Sequence, residues 1–438
     1  MKTQLFGTDG IRGLVGQYPL DAVGAQQIGK AIASHFARPG EVIMIGSDPR
    51  ESSADLVTAV SAGITAMGVH VLNVGVVPTP GLAYLTSQET EAKAGVMITA
   101  SHNPYTDNGI KVFTADGGKL SDSIQDSLNT LINSQIADEG IGVATDEPGR
   151  VGDYEAFLVD SAIGSPFDGL RFALDCANGA ASAIAVQVFE KLGAIVVPLF
   201  DHPDGKNINA QCGTTDTAAL EQAVQQRALD AGAAFDGDAD RVALIDGKGR
   251  RLSGDHLLYI LAITGHHRGV VATDMSNGGL ELALRKRGID LHRTAVGDRY
   301  VLEGLAETGY KLGGEQSGHI IQTTFSTTGD GLLAAVQTLQ QVRSSGKSLA
   351  KWYDELTLLP QELLNISLAD QNLLNDPGVV SYLAAQIIDL GDNGRLITRA
   401  SGTEPKLRIM VEAPDAPKRA KAIAEQLSAL LTAAGAKA

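Results

Sequence analysis

The sequence predicts an α/β protein of four domains, three of them similar and the fourth a smaller α+β domain. Three observations carry this. An apolar strand, a polar glycine-containing turn, a helical stretch and a second apolar strand recur in the same order three times. Each recurrence is followed by a further short apolar run that opens into a polar loop. After Gly346 the pattern changes, and the chain ends in an Ala/Leu-rich helical stretch. Strands joined through helices lie parallel, so the three sheets should be mixed and mainly parallel, with their loops around a central cleft beyond the strands' carboxyl ends.

The first unit runs from EVIMI (41–45) through GSDPRESS into a stretch with Val57, Val60, Ile64 and Met67 at helical spacing, then into VHVLNVGVV. Its following segment is GVMITASHNPYTDNG, from Gly95. The second joins FALDCANGAAS (172–182) to GAIVVPLF (193–200) and is followed by GAAFDGDADR from Gly232. In the third, VVATDMSNGG (270–279), ELALRKRG and IDLHRTAVG precede GYKLGGEQSGH from Gly309. These units place domains at 1–150, 151–248 and 249–358, with the fourth at 359–438. In the fourth, LRIMV reads as a strand after the polar turn of TRASGTEPKLRIMVEA (398–413), and a helix is expected from Pro417.

Length and composition agree: 438 residues exceed one ordinary core, and at about 150 residues per domain they suggest three or four. A formal charge of −16 repels phosphate backbones at long range and argues against nucleic acid as a partner, and a small anionic substrate needs a local cluster of cations and backbone N–H groups. Fifty glycines against ten phenylalanines and one tryptophan point to a backbone-lined site rather than an aromatic stacking platform. Cys176 and Cys212 form no disulfide or zinc pattern, and a reducing cytoplasm is expected. Asp9 and Arg12 fall where a signal peptide would be apolar, and no run is long and apolar enough to span a membrane.

Four loops carry candidate chemistry. Asp236, Asp238 and Asp240 alternate, so an extended loop would point three carboxylates one way, where they need a cation; an all-oxygen set suits Mg²⁺. A calcium EF-hand is excluded by Arg241 and Gly247 at its sixth and twelfth positions. Ser101 lies between a strand and a turn, with His102 beside it and Lys111 downstream as proton carriers or charge partners; capping of the turn is the structural alternative. Arg399, Ser401, Gly402, Thr403 and Arg408 supply the guanidiniums, hydroxyls and backbone approach that hold a dianionic phosphate, without any nucleotide-loop spacing. Glu315, Ser317 and His319 alternate in GGEQSGH, and an extended loop would present them together to sugar hydroxyls or an amine. Two rivals stay open. One is a phosphatase with Asp236 as nucleophile, since a strand ending in D-x-D resembles haloacid-dehalogenase enzymes; the other is a non-catalytic sugar-phosphate sensor.

Taken in order, FGTDGIRG (6–13), TASHNPYTDNGIKVF (99–113), DGDADR (236–241), GGEQSGH (313–319) and RASGTEP (399–405) resemble the α-D-phosphohexomutase family over essentially the whole chain. VGDRYV (296–301), EQSGHII, TTGDGLL (327–333) and SGTEP are most similar to its bacterial hexosamine-phosphate branch. The phosphomannomutase/phosphoglucomutase branches are the alternative within the family; they more often carry Met where Gln316 stands, and Ala400, Lys406 and Asp274 depart from the pattern.

The resemblance implies an isomerase that interconverts glucosamine 6-phosphate and glucosamine 1-phosphate through a 1,6-bisphosphate, supplying UDP-N-acetylglucosamine synthesis. It makes Ser101 a phosphoserine and has Asp236, Asp238 and Asp240 hold one Mg²⁺ per chain with a phosphoserine oxygen, beside Arg241. Glu315 and Ser317 would hold sugar groups, and Arg399, Ser401, Gly402, Thr403 and Arg408 the non-reacting phosphate. Lys111 or His319 would act as base or acid, with His102 and Arg12 in the same catalytic set. A homodimer, a sugar 1,6-bisphosphate activator, and a kinase or bisphosphate primer for Ser101 are expected with it.

Overall fold

The computed structural model describes residues 4–7, 9–391, 394–400 and 406–435. They form two compact bodies, Met1–Thr273 with His292–Asp354, and Asp274–Leu291 with Glu355–Ala438.

The first domain runs β1 (Ile11–Leu14), α1 (Ala22–Phe36), β2 (Val42–Ser47), α2 (Ser53–Thr65), β3 (His70–Val76), α3 (Thr79–Gln88), β4 (Ala92–Ile98), β5 (Asp107–Thr114), α4 (Asp122–Ile132) and β6 (Ala144–Asp146). Asp21 starts α1 by accepting the Gly24 N–H at 2.7 Å. The strand order is β1-β5-β4-β2-β3-β6, parallel from β4 to β6 and antiparallel at β5 and β1. Strands β2 and β4 are almost wholly buried, which is why they read as unbroken apolar runs. Helix α5 (Val151–Asp160) leads into β7 (Arg171–Asp175), α6 (Ala185–Lys191), β8 (Ile195–Leu199), α7 (Ala218–Gln226), β9 (Ala231–Phe235), β10 (Val242–Asp246) and β11 (Arg251–Leu252). Their order is β11-β10-β9-β7-β8.

The third stretch comprises α8 (Gly254–Thr264), β12 (Gly269–Thr273), α9 (Gly278–Arg285), β13 (Asp290–Thr294), α10 (Asp298–Thr308), β14 (Leu312–Gly314), β15 (Ile320–Gln322), α11 (Gly331–Ser344) and α12 (Leu349–Glu355). Its sheet order is β13-β12-β14-β15. The threefold repeat is therefore a repeat of topology: β5-β4-β2-β3, β10-β9-β7-β8 and β15-β14-β12-β13 share one order. In each, the third strand of the unit turns back through a hairpin into an antiparallel fourth. The hairpins are the loops that carry Ser101, the three aspartates and Glu315.

In the second body, β16 (Gln361–Ser367), α13 (Pro377–Leu390), β17 (Arg395–Ala400), β18 (Lys406–Glu412) and α14 (Ala416–Gly435) build an antiparallel sheet in the order β16-β18-β17. Ala420, Ile423, Leu427 and Leu431 form the apolar stripe of α14 and share a core with Leu407, Ile409 and Val411 of β18.

Candidate functional site

Ser101 sits in the β4–β5 hairpin, fully buried, with its backbone in the left-handed region at φ 53°. A non-glycine residue is held there only by its surroundings. Its hydroxyl donates to Asp236 Oδ2 at 2.7 Å, and its carbonyl accepts from Asn209 Nδ2 at 2.9 Å. Gly237 lies against the same carbonyl: a Cβ there would stand 2.5 Å from Ser101 O, so only glycine lets the serine and aspartate loops touch.

The β9–β10 hairpin brings Asp236, Asp238 and Asp240 together with donor atoms all within 4.8 Å. It does so by a different route from the alternation expected above. The segment is a turn with Ala239 at φ 58°, rather than an extended run. Asp236 Oδ1 accepts the Arg241 N–H at 3.1 Å, and Asp238 Oδ2 accepts from Thr79 Oγ1 at 2.6 Å. Asp238 Oδ1 and Asp240 Oδ1 are buried without a hydrogen-bond partner. Burial first, then the neighbouring Asp240 and Asp238, hold the Asp236 carboxyl far above the usual range. Orphaned buried carboxylate oxygens in an all-oxygen trio fit a hard divalent cation.

Lys111, on β5, reaches into this trio. Its Nζ lies 2.8 Å from Asp238, 2.9 Å from Asp9 and 3.2 Å from Asp240. Burial opposes its charge, but Asp238, Asp9 and Asp240 outweigh burial and raise the ammonium well above its ordinary value. Against burial, Lys111, His319 and Arg241 hold Asp240 low. Asp9 also binds Arg12 Nη2 at 2.8 Å and Lys119 Nζ at 2.6 Å, and Lys119 pairs in turn with Asp298. His102 Nδ1 lies 3.3 Å from both Ser101 Oγ and Arg241 Nη1. Burial, then Arg241 and Arg12, push its imidazole down to about 4, so it is neutral at pH 7.

The β14–β15 hairpin is also a turn, not the extended loop expected, because Gly318 adopts φ 96°. It leaves Glu315 and Ser317 half-buried and His319 buried, and packs against β10 through Val242 N–H to Gly318 O at 3.1 Å. The Ser317 hydroxyl and both His319 ring nitrogens lack hydrogen-bond partners, while His319 Nε2 lies 3.6 Å from Asp298 Oδ2. Burial raises the Glu315 carboxyl. The three hairpins thus meet within the first body.

In the second body, Arg399 and Arg408 are exposed and stand opposite each other on β17 and β18. Facing like charges are unfavourable in a sheet unless an anion joins them. Ser401, Gly402 and Thr403 lie outside the described residues. Sequence reasoning did not single out Asp9, Thr79, Lys119, Asn209 or Asp298, nor the Asp48–Arg50 pair; the last was readable only as the polar turn after β2, in GSDPRESS.

Three like sheets bring their hairpin loops to one buried site, and the chain carries a fourth, antiparallel domain, which defines a class of four-domain α/β proteins. The phosphoglucomutase/phosphomannomutase family models match in chain order, alpha/beta/alpha domain I at 3–139, domain II at 155–249, domain III at 253–358 and the C-terminal domain at 363–430. The chain belongs to this family and is an isomerase. It is 46% identical over 431 residues to a phosphoglucosamine mutase of Thermus thermophilus, covering 97% of this chain and 98% of the relative. It is 43% identical to that of Deinococcus radiodurans, with 94% of each chain covered. In fold it is similar to a phosphoglucomutase/phosphomannomutase family protein of Burkholderia thailandensis, TM-score 0.83 at 24% identity, covering 99% and 98% of the two chains. It also resembles an Aspergillus fumigatus N-acetylphosphoglucosamine mutase solved with GlcNAc-6P and magnesium, TM-score 0.63 at 18% identity, covering 94% and 99%. Among the described residues no helix is long and apolar enough to cross a membrane.

Proposed function

We propose that the chain interconverts glucosamine 6-phosphate and glucosamine 1-phosphate, carrying the phosphoryl group on Ser101 and passing through glucosamine 1,6-bisphosphate. The observation that carries this reading is the Ser101 hydroxyl 2.7 Å from Asp236 inside a buried carboxylate trio. The amino-sugar substrate follows from relatives named phosphoglucosamine mutase that match nearly the whole chain.

Asp236, Asp238 and Asp240, with an oxygen of the phosphoserine, would hold one Mg²⁺ per chain, whose charge when bound neutralises phosphoryl oxygens so that a sugar oxygen can approach phosphorus. The bond from phosphorus to Ser101 Oγ breaks as the bond to sugar O1 forms; the O1 proton passes to His319, whose ring nitrogens have no other hydrogen-bond partner, and the departing Oγ takes a proton from the Lys111 ammonium. When Oγ bonds to the 6-phosphoryl group its proton returns to Lys111, and His319 delivers its own to O6. Lys111 and Arg241 are both cationic in the resting site, so Lys111 enters the cycle as a charge and proton donor rather than as the first base. Arg12 adds a further positive group at the Asp9 side of the site. His102 stays neutral and orients Arg241. Glu315 and Ser317 receive the amine and hydroxyls of the sugar, and Arg399 and Arg408, with Ser401, Gly402 and Thr403, grip the phosphate that is not reacting. The same reading includes a cytoplasmic location, a homodimer, activation by a sugar 1,6-bisphosphate, and a first phosphate on Ser101 from that bisphosphate or a separate kinase.

Phosphorus NMR of the enzyme with glucosamine 6-phosphate tests it by the growth of glucosamine 1-phosphate, with glucose and mannose phosphates run in parallel. Intact mass should show one phosphate on the wild type and none on Ser101→Ala, which should lose nearly all turnover while keeping its fold. Faster turnover of glucose or mannose phosphates would move the substrate to another branch of the family. Retained turnover in Ser101→Ala would make Asp236 the nucleophile, and binding without turnover would leave a sensor.

A further inference from the structure

We infer that Arg50, working through Asp48 and Thr99, is a positioning residue that clamps Ser101 in its reactive backbone conformation; this rests on the phosphoserine reading above. Arg50 and Asp48 follow β2, and both side chains are fully buried. All five N–H donors of the guanidinium are used. Nε donates to Asp48 Oδ2 at 2.8 Å. Nη2 donates to the carbonyls of Ser101 at 2.8 Å and Asn103 at 2.9 Å, and Nη1 to those of Asp107 at 3.0 Å and Pro104. One planar fork therefore holds four carbonyls of the loop that carries the serine.

Asp48 completes the clamp from the other side. Its Oδ2 accepts from Thr99 Oγ1 at 2.7 Å, and Thr99 Oγ1 accepts the N–H of Ser101 at 2.9 Å. A single ion pair thus fixes both the N–H and the C=O of a residue held at φ 53°. Burying an ion pair gives little net stability, so its use here is geometric: it sets the direction from which Oγ meets Asp236 and the phosphorus it exchanges with the sugar. Lysine cannot replace it, because a lone ammonium has three donors and no fixed plane.

The test compares Arg50→Lys, Thr99→Val and Thr99→Ser with wild type by steady-state kinetics on glucosamine 6-phosphate, thermal unfolding, and intact mass for phosphate on Ser101. Arg50→Lys and Thr99→Val should lower kcat about ten- to hundredfold while KM stays within about threefold, since a misaimed nucleophile loses rate rather than binding. Both should remain folded at the assay temperature. Thr99→Ser keeps the hydroxyl and should return kcat to within about threefold of wild type. The inference is overturned if both variants keep wild-type kcat, if Thr99→Ser is no better than Thr99→Val, or if the rate loss only follows the unfolded fraction. A variant Arg50→Lys that does not fold leaves the decision to the two Thr99 variants. Wild type that takes no phosphate onto Ser101 even after incubation with glucosamine 1,6-bisphosphate would sink the phosphoserine reading and this inference together; phosphorylated wild type with unaffected variants would sink this inference alone.

Discussion

Replacing Lys111 by methionine should weaken the metal-free protein and make it more responsive to a divalent cation. The ammonium stands 2.8, 2.9 and 3.2 Å from Asp238, Asp9 and Asp240. At an effective dielectric constant of about 20, each contact is a gross attraction of roughly 5–6 kcal/mol, most of it offset by the cost of burying the charges. Removing one partner of such a cluster leaves carboxylates uncompensated and typically costs about 3–5 kcal/mol. A bound Mg²⁺ would supply the missing positive charge, so it should recover more stability in Lys111→Met than it adds to wild type. Asp238→Asn, at the other end of the ion pair, should respond in the opposite direction and gain less from Mg²⁺ than wild type does. Urea unfolding of the three proteins in chelator and in saturating Mg²⁺ reads both effects. A Lys111→Met protein within about 0.5 kcal/mol of wild type in chelator, or one whose gain from Mg²⁺ is no larger, would refute the charge reasoning.

Arg408→Ala should raise KM for the sugar phosphate by roughly ten- to hundredfold, the usual loss for one charge-assisted phosphate contact, and unchanged steady-state constants would remove the phosphate role of the β17–β18 pair. Asp330, which caps α11 and accepts the Tyr154 hydroxyl at 2.8 Å, is pushed up to about 6 by burial. Its folded value lies above the unfolded value of about 3.9, so its contribution is fully present below about pH 4 and is lost as pH rises through about 6. Asp330→Asn should remove that slope, gaining up to roughly 3 kcal/mol on wild type between pH 4 and pH 8. Identical pH profiles in urea unfolding would contradict it.

Much of the frame was legible because it depends on local pattern. Apolar runs that end in glycine-containing turns marked the third strand of each unit, and the loops singled out at Gly95, Gly232 and Gly309 proved to be hairpins at one topological position. The identities of Ser101 and the three aspartates were legible for the same reason. Their geometry was not, since alternation along a strand and a turn through Ala239 both bring carboxylates together, and only backbone dihedrals distinguish them. Partnerships across long stretches of chain were the least readable: nothing local ties Lys111 to Asp238, 127 positions away, or Lys119 to Asp298, 179 away. Arg50 was visible in its turn, but its role depends on four carbonyls more than 50 residues downstream.

The missing side chain at Gly237 has a kinematic consequence. Ser101 O fills the space that a Cβ would take, and the Thr79 N–H donates to Asp238 O at 2.9 Å across the same seam. Hinge motion between the first two sheets would have to tear this joint, so the serine and the carboxylate trio form one rigid platform. In the proposed reaction the phosphoserine and its cation seat then stay fixed between the two transfers, and the half-turn that exchanges O1 for O6 belongs to the bisphosphate. Any opening that frees room for that turn has to be borne by chain outside these two loops.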